Sequence, residues 1–212
     1  MDDDKGLRRP PKQERSRERV DEILSAAKRL IGQKGVDAVK MRDIAAETGG
    51  PISSIYQYFP NKSAIIARLF SQLSDELTQT LDERLESVDS IASLEATAHG
   101  LLDYYFMLIT SDPSILDLLN AVQADKTLKN IDIHVTRQQA EHFCEKGRTF
   151  VRPEAFEAFN RVTFMLFQLA ISAVRLALAL PVEERRGIME DYKTIIDGQL
   201  SVFARPDATR EG

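Results

Sequence analysis

The sequence predicts an all-α protein of about nine helices, in which a compact three-helix unit precedes a larger helical domain. Apolar residues recur at helical spacing through most of the 212 residues. Strand-like alternation and hairpin turns are scarce. Three proline-marked helix starts, at Asp112-Pro113, Arg152-Pro153 and Leu180-Pro181, divide the second half of the chain into separate helices.

The composition limits the chemistry that is available to the chain. With 43% apolar and 29% charged residues it resembles an ordinary globular protein. The only cysteine is Cys144, which excludes an intrachain disulfide or a cysteine-rich zinc site. His99, His134 and His142 lack the spacing of a zinc motif. We therefore predict no catalytic residues, no metal and no cofactor.

Charge is distributed unevenly along the chain. Residues 1 to 62 carry 13 basic against 10 acidic side chains, whereas residues 63 to 212 carry 15 against 23. A basic end on an acidic body favours contact of that end with a polyanion. A difference of this size can also arise by chance, so charge alone leaves both interpretations open.

Three short helices are expected at the N-terminal end, after a flexible basic arm over residues 1 to 19. The first begins near Val20 and ends at Gly35. The second covers about residues 41 to 48, with Ile44 pointing inward. Together with the third helix they form a predicted domain over residues 20 to 62.

The third helix lies in the stretch "GGPISSIYQYFPNK", residues 49 to 62. Pro51 suits a first helical position, and Ile55 and Phe59 share an apolar face. Ser53, Ser54 and Gln57 lie opposite. Two short helices joined by a glycine-containing turn predict a helix-turn-helix, whose second helix enters the major groove of DNA. Ser and Gln can then bond base edges, and the flanking Tyr56, Tyr58 and Lys62 can hold phosphates.

The remaining helices form a predicted domain over residues 63 to 206, followed by a tail, 207 to 212. Asn61 marks the start of a long helix that reaches Leu85. Further helices are expected at about 91 to 110, 113 to 124, 132 to 146, 153 to 180 and 182 to 204.

Residues 162 to 180 approach the length of a membrane span. Gln168 and Arg175 lie inside this stretch, and a charge near the middle of a span costs roughly 2.5 to 3.5 kcal/mol. No signal peptide is predicted, because the first residues are charged. We therefore expect a helix buried in a core or a subunit interface, and no membrane.

The motifs "MRDIAAETG" and "IYQYFPNK", with the 12-residue spacing from Ile44 to Tyr56, resemble the TetR family of bacterial transcriptional regulators. The resemblance covers about residues 20 to 66. It implies a cytoplasmic DNA-binding regulator, expected to be a repressor, and a helical body for ligand binding and dimerisation.

Carried over by position, the resemblance implies DNA contacts from nine residues: Lys40, Arg42, Ile52, Ser53, Ser54, Tyr56, Gln57, Tyr58 and Lys62. Two departures stand out. The family usually has threonine at position 40 and a Val-Ser pair at Gly50-Pro51. Lys40 can replace a phosphate contact by charge, whereas Pro51 has no N–H to donate. Ile52 could equally belong to the core. Basic residues of the arm either reach phosphates or the minor groove, or form a solvated run: Lys12, Arg15, Arg17 and Arg19.

A single such unit reads few base pairs, so we expect a homodimer on a palindromic operator in double-stranded DNA. The resemblance implies that helices 153 to 180 and 182 to 204 form the dimer interface; an intramolecular core is the alternative. It also implies a partly apolar small-molecule effector in the body, whose binding shifts the spacing of the DNA-binding heads. Candidate contacts, each of which could instead be ordinary core or surface, are Tyr105, Gln123, His134, Phe143, Phe164 and Gln168.

Two other functions compete with this hypothesis. A helical small-molecule-binding protein or enzyme could carry a vestigial helix-turn-helix. The nearest approach to a catalytic pair is Cys144 with His142, but residues two apart on a helix point in different directions. The second alternative is a helical partner-binding module whose helix-turn-helix has lost its DNA function. DNA binding and turnover assays separate these alternatives.

Overall fold

The computed structural model describes residues 12 to 206 and confirms the predicted all-α fold. Within these residues, β-type pairing is limited to one isolated antiparallel bridge between Val151 and Ala204. Nine α-helices and one short 3-10 helix (Pro153–Ala155) make up the chain there: α1 (Lys12–Ala38), α2 (Met41–Glu47), α3 (Ile52–Tyr56), α4 (Lys62–Leu85), α5 (Ile91–Ser111), α6 (Ser114–Ala124), α7 (Lys126–Gly147), α8 (Phe156–Ala179) and α9 (Val182–Ser201).

The first helix corrects one prediction. Residues 12 to 19 are helical, although we expected a flexible arm over residues 1 to 19. The helix-favouring Gln, Glu and Arg residues that follow Pro11 account for the earlier start. The rest of the predicted arm, residues 1 to 11, and the tail, 207 to 212, lie outside the described residues. Gly35 interrupts the helix with φ 75° and ψ 157°, which agrees with the predicted end.

Side-chain caps define several other helix starts. Asn61 accepts from the backbone N–H of Ala64 at 2.9 Å, as expected for the start of α4. The predicted start of α7 near residue 132 was wrong, because the helix begins six residues earlier, at Lys126, where Asp125 caps it. Its carboxylate accepts from the backbone N–H of Thr127 at 2.9 Å and of Leu128 at 3.2 Å.

The chain divides into two compact units. The first contains the described residues up to Phe70 together with Pro113–Ala121, and the second contains Ser71–Asp112 and the rest from Val122. This division differs from the predicted boundary after residue 62, since α4 continues through it and the first part of α6 joins the N-terminal unit. Close packing of α1 explains the second difference: a Cβ at Gly32 would lie 3.2 Å from Ser114 Cβ.

The core of the second unit is formed by α5, α7, α8 and α9. Gly147 at the end of α7 allows close approach, since a Cβ there would lie 2.7 Å from a methyl of Leu94 and 3.4 Å from the Phe159 ring. The Tyr192 hydroxyl of α9 donates to the Leu166 carbonyl of α8 at 2.5 Å. Burial raises the pKa of Tyr192 to about 12.

Candidate functional site

The helix-turn-helix is built on a small apolar core. Ile23 of α1, Ile44 of α2 and Ile55 of α3 are each at most 1% exposed, and Phe59 is buried beside them. The periodicity predicted Ile55 and Phe59 as core residues, which the structure confirms. Gly49, with φ 65°, turns the chain between α2 and α3, a conformation that favours glycine. The packed face of α3 therefore determines which of its side chains point outward.

The outer face of α3 presents both polar and apolar groups to solvent. Ile52 is 41% exposed and Tyr56 49% exposed. Ser53 and Gln57 are also exposed, whereas Tyr58 is half-buried. Ile52, for which core and groove were both open, thus lies on the solvent side. We call Ile52, Ser53, Tyr56 and Gln57 the α3 outer face.

Ser54 differs from its neighbours because its hydroxyl is engaged within the chain. It donates to the Pro51 carbonyl at 2.7 Å and accepts from the Arg19 guanidinium at 3.2 Å. Arg19 also donates to the Thr48 hydroxyl at 3.2 Å and to the Thr48 carbonyl at 3.3 Å. Arg19 is paired with Glu22 at 2.8 Å as well. Arg19 thus connects α1 to the turn and to α3 instead of projecting into solvent.

Gly50 leaves space for this arginine. A Cβ at Gly50 would lie 2.8 Å from Arg19 Nη2 and 3.2 Å from the Ser54 hydroxyl oxygen. Contacts under 3.0 Å force a shift, so the larger side chain that is usual in the family would displace the guanidinium. The departure at position 50 thus has a local structural reason in the position of Arg19.

The basic residues predicted to contact DNA occupy different environments. Lys40 precedes α2 and is exposed, and Arg42 is 73% exposed with its Nε 3.8 Å from Asp43. Lys62 is half-buried and donates to the Val36 carbonyl at 2.8 Å, which ties the start of α4 to the end of α1. A donating Lys34 ammonium and the Lys40 backbone N–H lower the pKa of the Asp43 carboxyl.

The basic residues of the N-terminal segment also separate. Arg15 and Arg17 are exposed on α1, whereas Arg19 faces inward. The side chain of Lys12 lies outside the described part of the chain. Among the described members of this group, only Arg15 and Arg17 therefore expose their positive charges to solvent.

In the second unit the structure brings two predicted effector contacts into one polar cluster. Gln123 donates to the Asp132 carboxylate at 2.8 Å. Burial raises the pKa of Asp132, against the opposing effects of Gln123 and of the nearby Arg175 charge. Burial and the Asp132 charge raise the pKa of Tyr105 well above its ordinary value, so its phenol is neutral at physiological pH. We call Tyr105, Gln123, Asp132 and Arg175 the body cluster.

The other predicted effector contacts divide between core and surface. Phe143 is 1% exposed and meets Phe167 edge to face, with ring centroids 5.6 Å apart. Phe164 is half-buried beneath the Arg137 guanidinium, 4.3 Å from the ring centroid. Gln168 has a buried amide nitrogen without a hydrogen-bond partner among residues 12 to 206. His134 is exposed.

Asp132 and Arg175, which complete the body cluster, were not among the residues that the sequence suggested. Arg175 carried a usable signal, because a charge inside an apolar helix needs a buried partner or a ligand. Asp132 gave none, since its neighbours Gln123 and Arg175 come from other helices.

The Cys144–His142 pair has no catalytic geometry. Burial raises the pKa of the Cys144 thiol to about 12, which keeps it protonated and unreactive. His142 faces Asp82 at 2.9 Å. Within residues 12 to 206, no group of three or more His, Cys, Asp or Glu side chains is arranged to hold a metal ion.

Exposed apolar residues occur on α8 and near the end of α9. Met165, Leu169 and Leu176 form a stripe on α8 that is 45–52% exposed, Ile195 on α9 is 51% exposed, and Val202, directly after α9, is 61% exposed. Other apolar residues of α9, Tyr192 and Ile196 among them, are buried within the chain. One described stretch, Pro153–Ala179, is long and apolar enough to cross a membrane, a property that core and interface helices share.

Comparison with known proteins identifies both parts of the chain. Residues 23–69 match the family described as "Bacterial regulatory proteins, tetR family". Residues 92–204, more than half of the chain, match the "Tetracyclin repressor-like, C-terminal domain".

Individual relatives agree with these matches. The nicotine-responsive repressor HdnoR of Paenarthrobacter nicotinovorans is 25% identical over 45% of this chain and 47% of its own length. The regulator YvdT of Bacillus subtilis is 28% identical over 64% of this chain and 60% of its own. The chain thus matches less than two thirds of either relative.

Solved structures share the fold. A TetR-family regulator from Streptomyces coelicolor superposes with a TM-score of 0.67 at 22% identity, covering 87% of this chain and 99% of that one. SmeT, the repressor of a Stenotrophomonas maltophilia multidrug efflux pump, gives a TM-score of 0.69 at 16% identity over 91% and 94%. The chain therefore belongs to the TetR family of bacterial regulatory proteins, whose members are DNA-binding transcriptional regulators and not enzymes.

Proposed function

We propose that the protein is a cytoplasmic homodimeric repressor that binds a palindromic operator and is released by a small molecule bound in its second unit. The α3 outer face carries the proposal. Its four side chains are exposed to solvent, on a helix whose opposite face is buried in the core. An exposed isoleucine and tyrosine beside Ser53 and Gln57 suit a major groove, which is about 12 Å wide.

Each residue of this surface has a defined task in the proposal. Gln57 and Ser53 hydrogen-bond base edges, and the Ile52 methyl groups contact a thymine methyl. Lys40 and Arg42 contact phosphates on one side of α3, while Tyr56 and the partly buried Tyr58 and Lys62 hold the backbone at its edges. Ser54 has its proton engaged by Pro51, so it serves mainly to hold α3 against Arg19.

The exposed stripes of α8 and α9 support the proposed dimer. Isolated exposed apolar residues are ordinary, but Met165, Leu169 and Leu176 recur at intervals of four and seven on one helix face. A second copy that covers them would supply the second recognition helix that a palindrome needs, since half-sites lie about 34 Å, one DNA turn, apart.

The relatives support a small-molecule effector. One is named as nicotine-responsive, and SmeT has been solved in complex with triclosan. In this chain the body cluster and the half-buried Phe164 are the proposed contacts. Coupling between effector and operator of about 1 to 3 kcal/mol would lower each affinity by the same factor.

The test is binding of the full chain to DNA from upstream of its own gene. A palindrome, its isolated half-site and a scrambled duplex would be compared by fluorescence anisotropy at two salt concentrations. We expect tight binding to the palindrome only, with a steep loss of affinity at higher salt. Equal and weak binding to all three duplexes would refute the operator-reading role.

A further inference from the structure

The second unit contains a half-buried arginine, Arg175, with two buried and unsatisfied donor atoms. Nε and Nη2 of Arg175 are fully buried and find no hydrogen-bond partner among residues 12 to 206. A guanidinium stays charged at any physiological pH. Leaving a buried charge and its donors unpaired is costly, so proteins pair such groups or reserve them for a ligand.

The two unpaired nitrogens share one edge of the guanidinium. Nε–H and one N–H of Nη2 are roughly parallel on that edge, and this fork matches the two oxygens of a carboxylate. A hydroxyl or amide ligand could occupy only part of it. The geometry of the unpaired atoms therefore favours an anion with two acceptor oxygens, such as a carboxylate.

Asp132 does not fill this role. Its carboxylate accepts from Gln123 at 2.8 Å, and neither Nε nor Nη2 of Arg175 has a hydrogen-bond partner among residues 12 to 206. Asp132 is close enough to be influenced by the Arg175 charge, and burial raises its pKa. The body cluster thus holds one cation whose Nε–Nη2 edge has no hydrogen-bond partner among the described residues.

The surroundings of this edge are suited to an apolar body. Gln168, seven residues before Arg175, lies on the same side of α8, and its amide nitrogen is the next unpaired donor. Phe164 continues that side one turn further, and the neutral Tyr105 phenol lies near Arg175 from α5. A ligand that matches unpaired donors at one end and aromatic rings along the helix would have an apolar body and one charged end.

We propose that the effector is an apolar monocarboxylate whose carboxylate is bound by Arg175, with Gln168 and Tyr105 as additional donors. This inference rests on the proposed function, because it names the chemical class of the molecule that occupies the body cluster.

The test uses calorimetric titration of the full chain with phenylacetate and octanoate, each compared with its primary amide. We expect the acids to bind at least tenfold more tightly than the amides. Arg175→Met should weaken acid binding about 30-fold or more, since truncating one partner of a buried charge pair has effects of this size. It should leave the amides nearly unchanged, and Arg175→Lys should retain part of the acid affinity. Arg186→Met, at an exposed arginine of α9, is the matched control.

The inference is overturned if the amides bind as tightly as the acids, if Arg175→Met leaves acid affinity unchanged, or if neither acid binds at about 10 mM. Thermal melting of each variant shows whether it folds. Operator affinity is measured separately with and without acid. Acid binding through Arg175 that leaves operator affinity unchanged supports the carboxylate site and contradicts the proposed release mechanism. Release of DNA by neutral compounds alone contradicts the site and supports release.

Discussion

The Arg19 guanidinium donates to the Ser54 hydroxyl at 3.2 Å, which joins α1 to α3 across 35 positions of sequence. The same guanidinium donates to Thr48 in the turn between α2 and α3. The orientation of the α3 outer face thus depends on an arginine outside the helix-turn-helix motif, and Gly50 provides the space that this arginine occupies.

We expect Arg19→Met to lower the free energy of unfolding of the N-terminal unit by about 1 to 2 kcal/mol, and Gly50→Ala to lower it by less, because the guanidinium that it displaces is the end of a flexible side chain. Because both substitutions remove the same contacts, the double variant should lose no more than about 0.5 kcal/mol beyond the larger single effect. Urea denaturation of the four proteins measures the cycle.

Gly187→Ala is the control for the glycine substitution, because a Cβ at this position meets nothing within 4 Å. It should be neutral or stabilise α9 by up to about 1 kcal/mol. Strict additivity of Arg19→Met and Gly50→Ala would show that Gly50 has no role in placing Arg19.

Tyr192→Phe should lower the free energy of unfolding by about 1 kcal/mol, because it removes the hydroxyl that donates to Leu166 while leaving the ring in place. Urea denaturation with an unchanged slope checks this. An unaltered midpoint would mean that the hydrogen bond contributes nothing between α8 and α9.

Asp132→Asn should raise stability at neutral pH, since burial raises the pKa of the wild-type carboxyl and disfavours its charged form. The folded wild type binds this proton more readily than the unfolded chain. The stability that this bound proton contributes to the wild type is therefore fully present below the ordinary carboxyl pKa. It is lost as pH rises through the raised pKa. The advantage of Asp132→Asn should shrink as pH falls toward about 4. Melting temperatures at several pH values test this; a constant difference would argue against a raised pKa.

Leu176→Glu should convert the proposed dimer into monomers, because it places a charge in the exposed α8 stripe, at its C-terminal end. Sedimentation velocity measures the change. Thr149→Glu, at an exposed position before α8, provides the matched control. A wild type that sediments as a monomer, or a Leu176→Glu dimer of wild-type affinity, would rule out this interface.

Periodicity predicted the parts of the fold that depend on local spacing. Ile55 and Phe59 are buried where their helical positions require it, and Asn61 starts α4 as a capping residue should. The true start of α7 was also predictable from the sequence, since Asp125 is a good N-cap residue.

The remaining differences arise from contacts between residues that are distant in sequence. Arg19 belongs to a basic run, and only the folded positions of Thr48 and Ser54 show that it turns inward. Lys62 likewise donates to Val36, 26 positions away. A single sequence gives no indication of such pairs, because hydrogen-bonding side chains have the same pattern whether their partner is water, DNA or another helix.

The most direct test of the regulator hypothesis is the operator affinity of Gln57→Ala compared with Ser25→Ala, an exposed substitution on α1. Gln57 is exposed and makes no contact that holds the fold, unlike Lys62, so its loss should leave the melting temperature unchanged. We predict that Gln57→Ala weakens operator binding about tenfold, within the roughly 1 to 3 kcal/mol of a base contact, while binding to scrambled DNA stays the same. Operator binding equal to that of Ser25→Ala would contradict the reading of DNA by the α3 outer face.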